Sequence, residues 1–215
     1  MTQRVNDPLR LPAVTWRDRQ LPDPERLFEV RCGVLFPDQN EATVINCPAY
    51  YLQAIRNGNL ERIGALIPSR AEFIESTYER SRPEMARHLS RALHAAGVSC
   101  AAGVRPPSSR VDSRPYMQQL LDDGVVATDL SAFVERLVRS FRAATASGWT
   151  EVRESVRVKG DPPKPLARQL VVVDDIINDG RSIAATISAL SQARLLPADA
   201  QFYAVALISI AKDIA

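Results

Sequence analysis

Lysine is nearly missing from this chain. Lys159, Lys164 and Lys212 are the only lysines among 27 basic residues, and the rest are arginine. Against 25 acidic residues the formal net charge is +2. The strong basic surplus of a dedicated nucleic-acid or membrane-surface protein is therefore absent. Arginine in place of lysine suits bidentate phosphate contacts, although codon usage alone also produces it. Cysteine is just as scarce. Cys32, Cys47 and Cys100 are odd in number, widely spaced and form no CxxC pair, which argues against a zinc ribbon or a disulfide framework. No apolar run of roughly 18 residues could span a membrane. The opening MTQRVNDPLRLPAVTW has no apolar core of the signal-peptide kind. A soluble protein in a reducing, cytoplasmic setting is the expectation, with no membrane partner.

What the chain does have is apolar content, at 46% of 215 residues. That is enough for one sizeable domain with an appendage. Residues 1–27, rich in Pro, Arg and Asp, read as an extended arm. LFEVRCGVLFPDQNEATVINCP holds two strand-like runs around a polar turn at residues 37–41 and predicts a β-hairpin. Residues 48–68 carry short helical patterns. Helical spacing covers 71–96, in two pieces because Pro83 lacks a backbone N–H, with Met85, Leu89 and Leu93 on one apolar face.

From Gly97 onward strands and helices alternate. GVSCAAGV reads as a strand, residues 114–121 as a helix and GVVATDL as a strand. Asp129 is placed to cap a helix carrying Phe133, Leu137, Val138 and Phe141. WTEVRESV begins as an alternating strand, and AQFYAVALISIA is a last one. His88 and His94 are six apart, off any shared helix face, and read as structural. This order predicts an α/β fold, a parallel sheet flanked by helices. Residues 71–215 form its core, and residues 1–70 are an N-terminal arm.

The most informative stretch is QLVVVDDIINDGRSIAATISAL, residues 169–190. LVVV is apolar throughout, as a strand buried on both faces must be. Asp174 and Asp175 follow at its carboxyl end, where ligands of open α/β sheets bind. NDGRS then leads into a helix. Gly180 permits a backbone conformation closed to other residues, and the N–H groups of such a turn form an anion site with the helix N-terminus. Two carboxylates beside an anion site are costly unless they hold hydroxyls or a cation. A sugar diol and Mg²⁺ would answer both. The plainer alternative is that the acids only organise a βα turn.

With Leu170 before it, VVVDDIINDGRS resembles the phosphoribosyl diphosphate (PRPP) binding motif of the type I phosphoribosyltransferases: four apolar residues, two acids, two apolar residues and a small Gly-containing loop ending in Ser or Thr. The resemblance covers about a dozen residues, and the β/α order over 82–211 is compatible with it. It implies a phosphoribosyltransferase-like core in which Asp174 and Asp175 hold the ribose 2- and 3-hydroxyls directly or through Mg²⁺. It also implies that Asn178, Asp179, Gly180, Arg181 and Ser182 wrap the 5-phosphate. Two positions depart from the family. Asn178 stands where purine-salvage members often have an acid that acts as base, and Asp179 stands where Thr is usual.

Two further segments fit the same reading. GVRPPSSR follows a strand, and in this family that loop binds pyrophosphate; Ser108, Ser109 and Arg110 are the candidates, with Arg105 behind them. The basic segment 153–168, with Arg153, Arg157, Lys159, Lys164 and Arg168, matches the family's mobile loop, and Arg157 and Lys159 join the acids as catalytic candidates. The resemblance implies transfer of phosphoribosyl from PRPP to a nucleobase or similar acceptor, a hood from residues 1–70 that reads the acceptor, Mg²⁺ as cofactor and a homodimer. A non-catalytic module sensing PRPP or a nucleotide, with nucleic acid entering only in a regulatory role, is the second reading. A response-regulator-like or hydrolase-like domain, whose acids hold Mg²⁺ for phosphoryl transfer, is the third. Those families usually place the acidic strand early, whereas here it is late.

Overall fold

The computed structural model describes residues 11–22, 27–39, 68–107, 113–137, 153–164, 167–177 and 179–210. Its elements run in the order β1 (Thr15–Pro22), β2 (Leu27–Gln39), α1 (Pro68–Ala95), β3 (Ala101–Val104), α2 (Arg114–Asp122), β4 (Val126–Asp129), a 3₁₀ turn (Ser131–Phe133), β5 (Val134–Arg136), β6 (Val156–Val158), β7 (Gln169–Val173), β8 (Ile176–Ile177), α3 (Arg181–Gln192) and β9 (Gln201–Ile210). None of the described helices is long and apolar enough to cross a membrane.

The main sheet has the order β1-β2-β9-β7-β3-β4, with β8 pairing β9 off that path. Every pair in it is parallel except β1 with β2. The apolar run Leu170–Val173 is therefore central, between β9 and β3, and the reason for its composition is visible. Leu170 and Val172 enter one buried layer, and Val171 and Val173 the other. A strand covered on both faces has no solvent side on which to place a polar residue. α3 lies on the first face, with Ile183, Ala184, Ile187 and Leu190 in the same cluster. α1 and α2 cover the second, through Met85, Leu89 and Leu93 and through Tyr116, Met117 and Leu120. Each fully buried Leu contributes roughly 1.5–3 kcal/mol.

The sheet starts earlier in the chain than expected. The segment set apart as an arm contributes β1, which pairs residue for residue with β2 from Thr15↔Val34 to Pro22↔Leu27. The hairpin partner of β2 thus precedes it, and the second run of the expected hairpin, residues 42–47, lies outside the described residues. β2 in turn pairs in parallel with β9. Residues 15–39 consequently belong to the same sheet as the core strands. Cys32 is buried in β2, and burial pushes its thiol up to about 11.

Two helix expectations change. α1 continues through Pro83 as one helix of 28 residues. A proline forfeits one helical hydrogen bond, but Pro83 is exposed, so that loss falls where water can compensate. The helix expected from Phe133 gives way to β5, which pairs antiparallel with β6 in a separate two-stranded ribbon. Val134 and Val156 of this ribbon join the α3-side core. Their burial in paired strands outweighs the local helical spacing.

Gly103 shows how tightly the second layer is packed. A Cβ there would lie 2.7 Å from Val126 Cγ1 and 2.8 Å from Met117 Sδ. Gly103→Ala is therefore expected to destabilise the protein by about 1–3 kcal/mol, at roughly 2–4 °C of Tm per kcal/mol. Thermal unfolding followed by circular dichroism measures this, and an unchanged Tm would contradict that packing.

Candidate functional site

The connections of the sheet reverse at one place. From β3 the chain passes through α2 to β4, on one side; from β7 it passes through α3 to β9, on the other. α2 and α3 cover opposite faces. β3 and β7 are adjacent and parallel, so the loops leaving their carboxyl ends diverge. That divergence marks the switch point of the strand order, where ligands of open α/β sheets bind in the crevice beyond the strand ends. Arg105 follows one of these strands and Asp174 the other.

Asp174 continues the β7 ladder, its N–H donating to the Val205 carbonyl at 3.0 Å. Its carboxyl group is buried, 9% exposed as a residue. Oδ1 accepts the Asp175 N–H at 2.9 Å, and Oδ2 accepts the Ser182 hydroxyl at 3.0 Å. Burial holds the Asp174 carboxyl well above the usual carboxylate range, and the neighbouring Asp175 charge pushes the same way. Asp175 Oδ1 accepts the Ile176 N–H at 2.9 Å. Asp175 Oδ2 is buried and meets no N–H or hydroxyl donor among the described residues, while a neutral Asp174 can hydrogen-bond the Asp175 carboxylate beside it.

A buried carboxylate oxygen of this kind beside a carboxyl group held back from ionising is an arrangement that a hard cation would relieve. The donor set is all oxygen and fits Mg²⁺, which keeps several waters and takes few protein ligands. Among the described residues no three acidic, His or Cys side chains converge as a metal cage. Remaining ligands would therefore come from water and substrate.

The following turn is built as expected in its backbone. Gly180 sits at φ 78°, ψ 6°, in the left-handed region, and caps α3. A second reason for glycine emerges here: a Cβ would lie 2.5 Å from Leu21 Cδ2, so β1 fills the space beside the turn. Asp179 turns inward on the loop. Its Oδ1 accepts the Arg181 N–H at 3.2 Å, and its Oδ2 lies 3.2 Å from Arg181 Nε as an ion pair. Asn178 lies outside the described residues.

The other candidates divide. Ser108, Ser109 and Arg110 lie outside the described residues. Arg105, ranked behind them, is held firmly: its N–H and its Nε donate to Ser131 Oγ at 2.9 and 3.3 Å. Ser131 in turn donates its N–H to Asp129 Oδ1 at 2.8 Å, and its hydroxyl makes a short bond to the same oxygen. The helix that Asp129 was expected to cap does not form; Leu130 stands at the N-cap of the 3₁₀ turn and has no side-chain cap bond, and Asp129 instead accepts the Ser131 N–H. This chain ties the end of β3 to the end of β4. Sequence reading missed Ser131 because only the parallel pairing of β3 with β4 brings it to Arg105, 26 residues away.

Arg157 and Lys159 are not free cations. Arg157 Nε lies 2.5 Å from Glu135 Oε1, and Lys159 Nζ lies 3.7 Å from Oε2, both basic side chains being more than half exposed. The Arg157 hydrogen bond is the main reason the Glu135 carboxyl sits below its ordinary value. Arg168 pairs with Asp199.

Two clefts, of about 790 and 920 Å³, open at the other edge of the sheet. The first is bordered by Cys100, Gln169 and Gln201, where β3, β7 and β9 begin, and the second by Phe28 and Phe202. Chemistry favours the carboxyl edge, because there two acids lie side by side at a strand end and one is held from ionising.

The raised Asp174 value carries a sign. A carboxyl group whose value in the folded protein exceeds that of the unfolded chain favours folding below the ordinary carboxylate range and loses that advantage as pH rises through the raised value. Asp174→Asn, which cannot ionise, is therefore expected to raise Tm relative to wild type without Mg²⁺, with the gap widening as pH rises. Added Mg²⁺ should raise the wild-type Tm and leave the variant unchanged. Thermal shift across pH, with and without Mg²⁺, checks both.

No protein-family model matches the chain and no curated protein matches it, so a function has to be read from these residues and their geometry.

Proposed function

We propose that the crevice between β3 and β7 binds PRPP with Mg²⁺ and that the protein transfers the phosphoribosyl group to a nitrogenous base, releasing pyrophosphate. The observation that carries this is the Asp174–Asp175 pair at the carboxyl end of a central parallel strand, with Asp175 Oδ2 buried and meeting no N–H or hydroxyl donor among the described residues.

In this reading Asp174 and Asp175 hold the ribose diol directly or through Mg²⁺. Bound Mg²⁺ would supply charge neutralisation for the leaving group. The C1–O bond to pyrophosphate breaks as a C1–N bond to the base forms, and the nitrogen's proton passes to water. The reacting carbon becomes cation-like, so positioning and charge placement do the work and no covalent nucleophile is needed. Arg105, anchored by Ser131, stands at the strand end from which the pyrophosphate side would be met.

The second reading, a non-catalytic PRPP or nucleotide sensor on the same fold, is favoured by one observation. Both basic candidates of the mobile segment, Arg157 and Lys159, are already answered by Glu135.

Incubation with PRPP, Mg²⁺ and a panel of purine and pyrimidine bases tests the transferase. Pyrophosphate release with at least one base is expected, reduced on the order of a hundredfold in Asp175→Asn. Saturable calorimetric binding of PRPP without release would favour the sensor, and no binding at all would refute both.

A further inference from the structure

The basic candidates at the carboxyl edge are answered in two ways. Arg157, Lys159 and Arg181 each meet a carboxylate directly. Arg105 meets a hydroxyl instead. The parallel register explains which one. Gly103 stands beside Asp129, the Leu130 N–H donates to the Gly103 carbonyl at 2.8 Å, and two residues further along each strand Arg105 meets Ser131. A hydroxyl has one hydrogen to give and two lone pairs with which to accept. Ser131 commits all of them. Its hydrogen goes to Asp129 Oδ1, and its oxygen accepts the Arg105 N–H at 2.9 Å and the Arg105 Nε–H at 3.3 Å. The Asp129 carboxylate therefore sets the rotation of the hydroxyl, so that both lone pairs face Arg105. The guanidinium gives up its Nε–H alone. Its two Nη groups make no hydrogen bond among the described residues.

We infer that Ser131 and Asp129 are positioning residues: through the Ser131 hydroxyl they hold the Arg105 guanidinium with its Nη edge free to take the diphosphate end of the ligand. This rests on the PRPP reading for the ligand's identity, while the relay stands on its own hydrogen bonds. A guanidinium edge and two phosphate oxygens match as fork to fork, and the Nη edge is one that can make this contact. An arginine loose in solvent gives up its rotamer freedom when it binds. Arg105 has given up much of it in advance, at its backbone N–H and at Nε. Ordering one such side chain beforehand is worth about two- to tenfold in affinity. Asp129 bonds the serine rather than the guanidinium, so it orients Arg105 without taking the edge left for a ligand.

The experiment is calorimetric titration of the full chain with inorganic pyrophosphate and, separately, with PRPP, both with Mg²⁺. Ser131→Ala and Asp129→Ala are each expected to weaken pyrophosphate binding about two- to tenfold, and Arg105→Ala by more than about tenfold. Ser131→Thr, which keeps the hydroxyl, is expected to match wild type. The decisive variant combines Arg105→Ala with Ser131→Ala. A residue that acts only through Arg105 costs nothing further once Arg105 is gone, whereas one that merely shapes the ends of β3 and β4 costs the same in both backgrounds. An undiminished second loss, an unchanged affinity in Ser131→Ala, or a Ser131→Thr protein as weak as Ser131→Ala would overturn the inference. PRPP separates the relay from the reading beneath it. If pyrophosphate binds with the expected pattern across the variants and PRPP does not bind, the PRPP reading fails and the relay remains. If PRPP binds wild type, Ser131→Ala and Asp129→Ala with equal affinity, the relay fails and the PRPP reading remains. Binding of neither ligand refutes both.

Discussion

The structure at the carboxyl edge depends on one costly act, the burial of the Asp174 carboxyl group at the end of an apolar strand. An ionised carboxylate in such a place is expensive unless it is bonded or neutralised. Here it is bonded twice, by the Asp175 N–H and the Ser182 hydroxyl, and held toward its neutral form. Those two bonds also have a structural consequence. The first fixes the direction in which the chain leaves β7, and the second pins the first turn of α3 to the strand. α3 then lies across the sheet with an almost wholly buried middle, Ile183 through Leu190, and delivers the chain to β9. A change at Asp174 is therefore felt in helix placement as well as in ligand chemistry.

The N-terminal strands complete this edge in a way that local patterns could not announce. β2 extends the parallel sheet past β9, and β1 closes it with an antiparallel partner. Leu21 of β1 then packs into the space that Gly180 leaves open. The glycine of the turn thus answers two demands at once, a left-handed backbone and a neighbour too close for a side chain. Either demand alone would select glycine, so glycine at this position is weak support for a phosphate.

What was legible in the sequence follows the range of the forces. LVVV, the acids after it, the turn and α3 form one local run, and periodicity plus turn chemistry specify them. So do α2, β4 and the apolar face of α1. Long-range pairing was not legible. No local signal says that β2 pairs with a strand some 170 residues later, which only the register Val30↔Phe202 reveals. Phe133 and Leu137 keep helical spacing, yet β5 forms because it pairs with β6 and Val134 and Val156 are buried in the core. Pro83 misled in the opposite direction, since an exposed helix face tolerates the missing bond. At the site, DD and GRS were readable as chemistry. That Asp179 turns onto Arg181, and that Arg157 and Lys159 meet Glu135, were not, because each depends on side-chain partners set by the fold.

The pairing of charges also gives the crevice a direction. Arg181 is matched by Asp179, and Arg157 and Lys159 by Glu135. Arg105 is different. It is anchored through the Ser131 hydroxyl, which itself bonds the Asp129 carboxylate, and among the described residues it makes no direct ion pair. At the other side of the crevice, Asp175 offers an acceptor that no N–H or hydroxyl donor meets among the described residues. An acceptor attracts hydroxyls or a cation, and an arginine without a direct ion pair attracts an anion. A ligand spanning the crevice would thus set its anionic end at β3 and its hydroxyl-bearing or metal-bound end at β7. The polarity follows from which charges the fold has already answered, and it depends on neither the identity of the base nor the turn at Gly180.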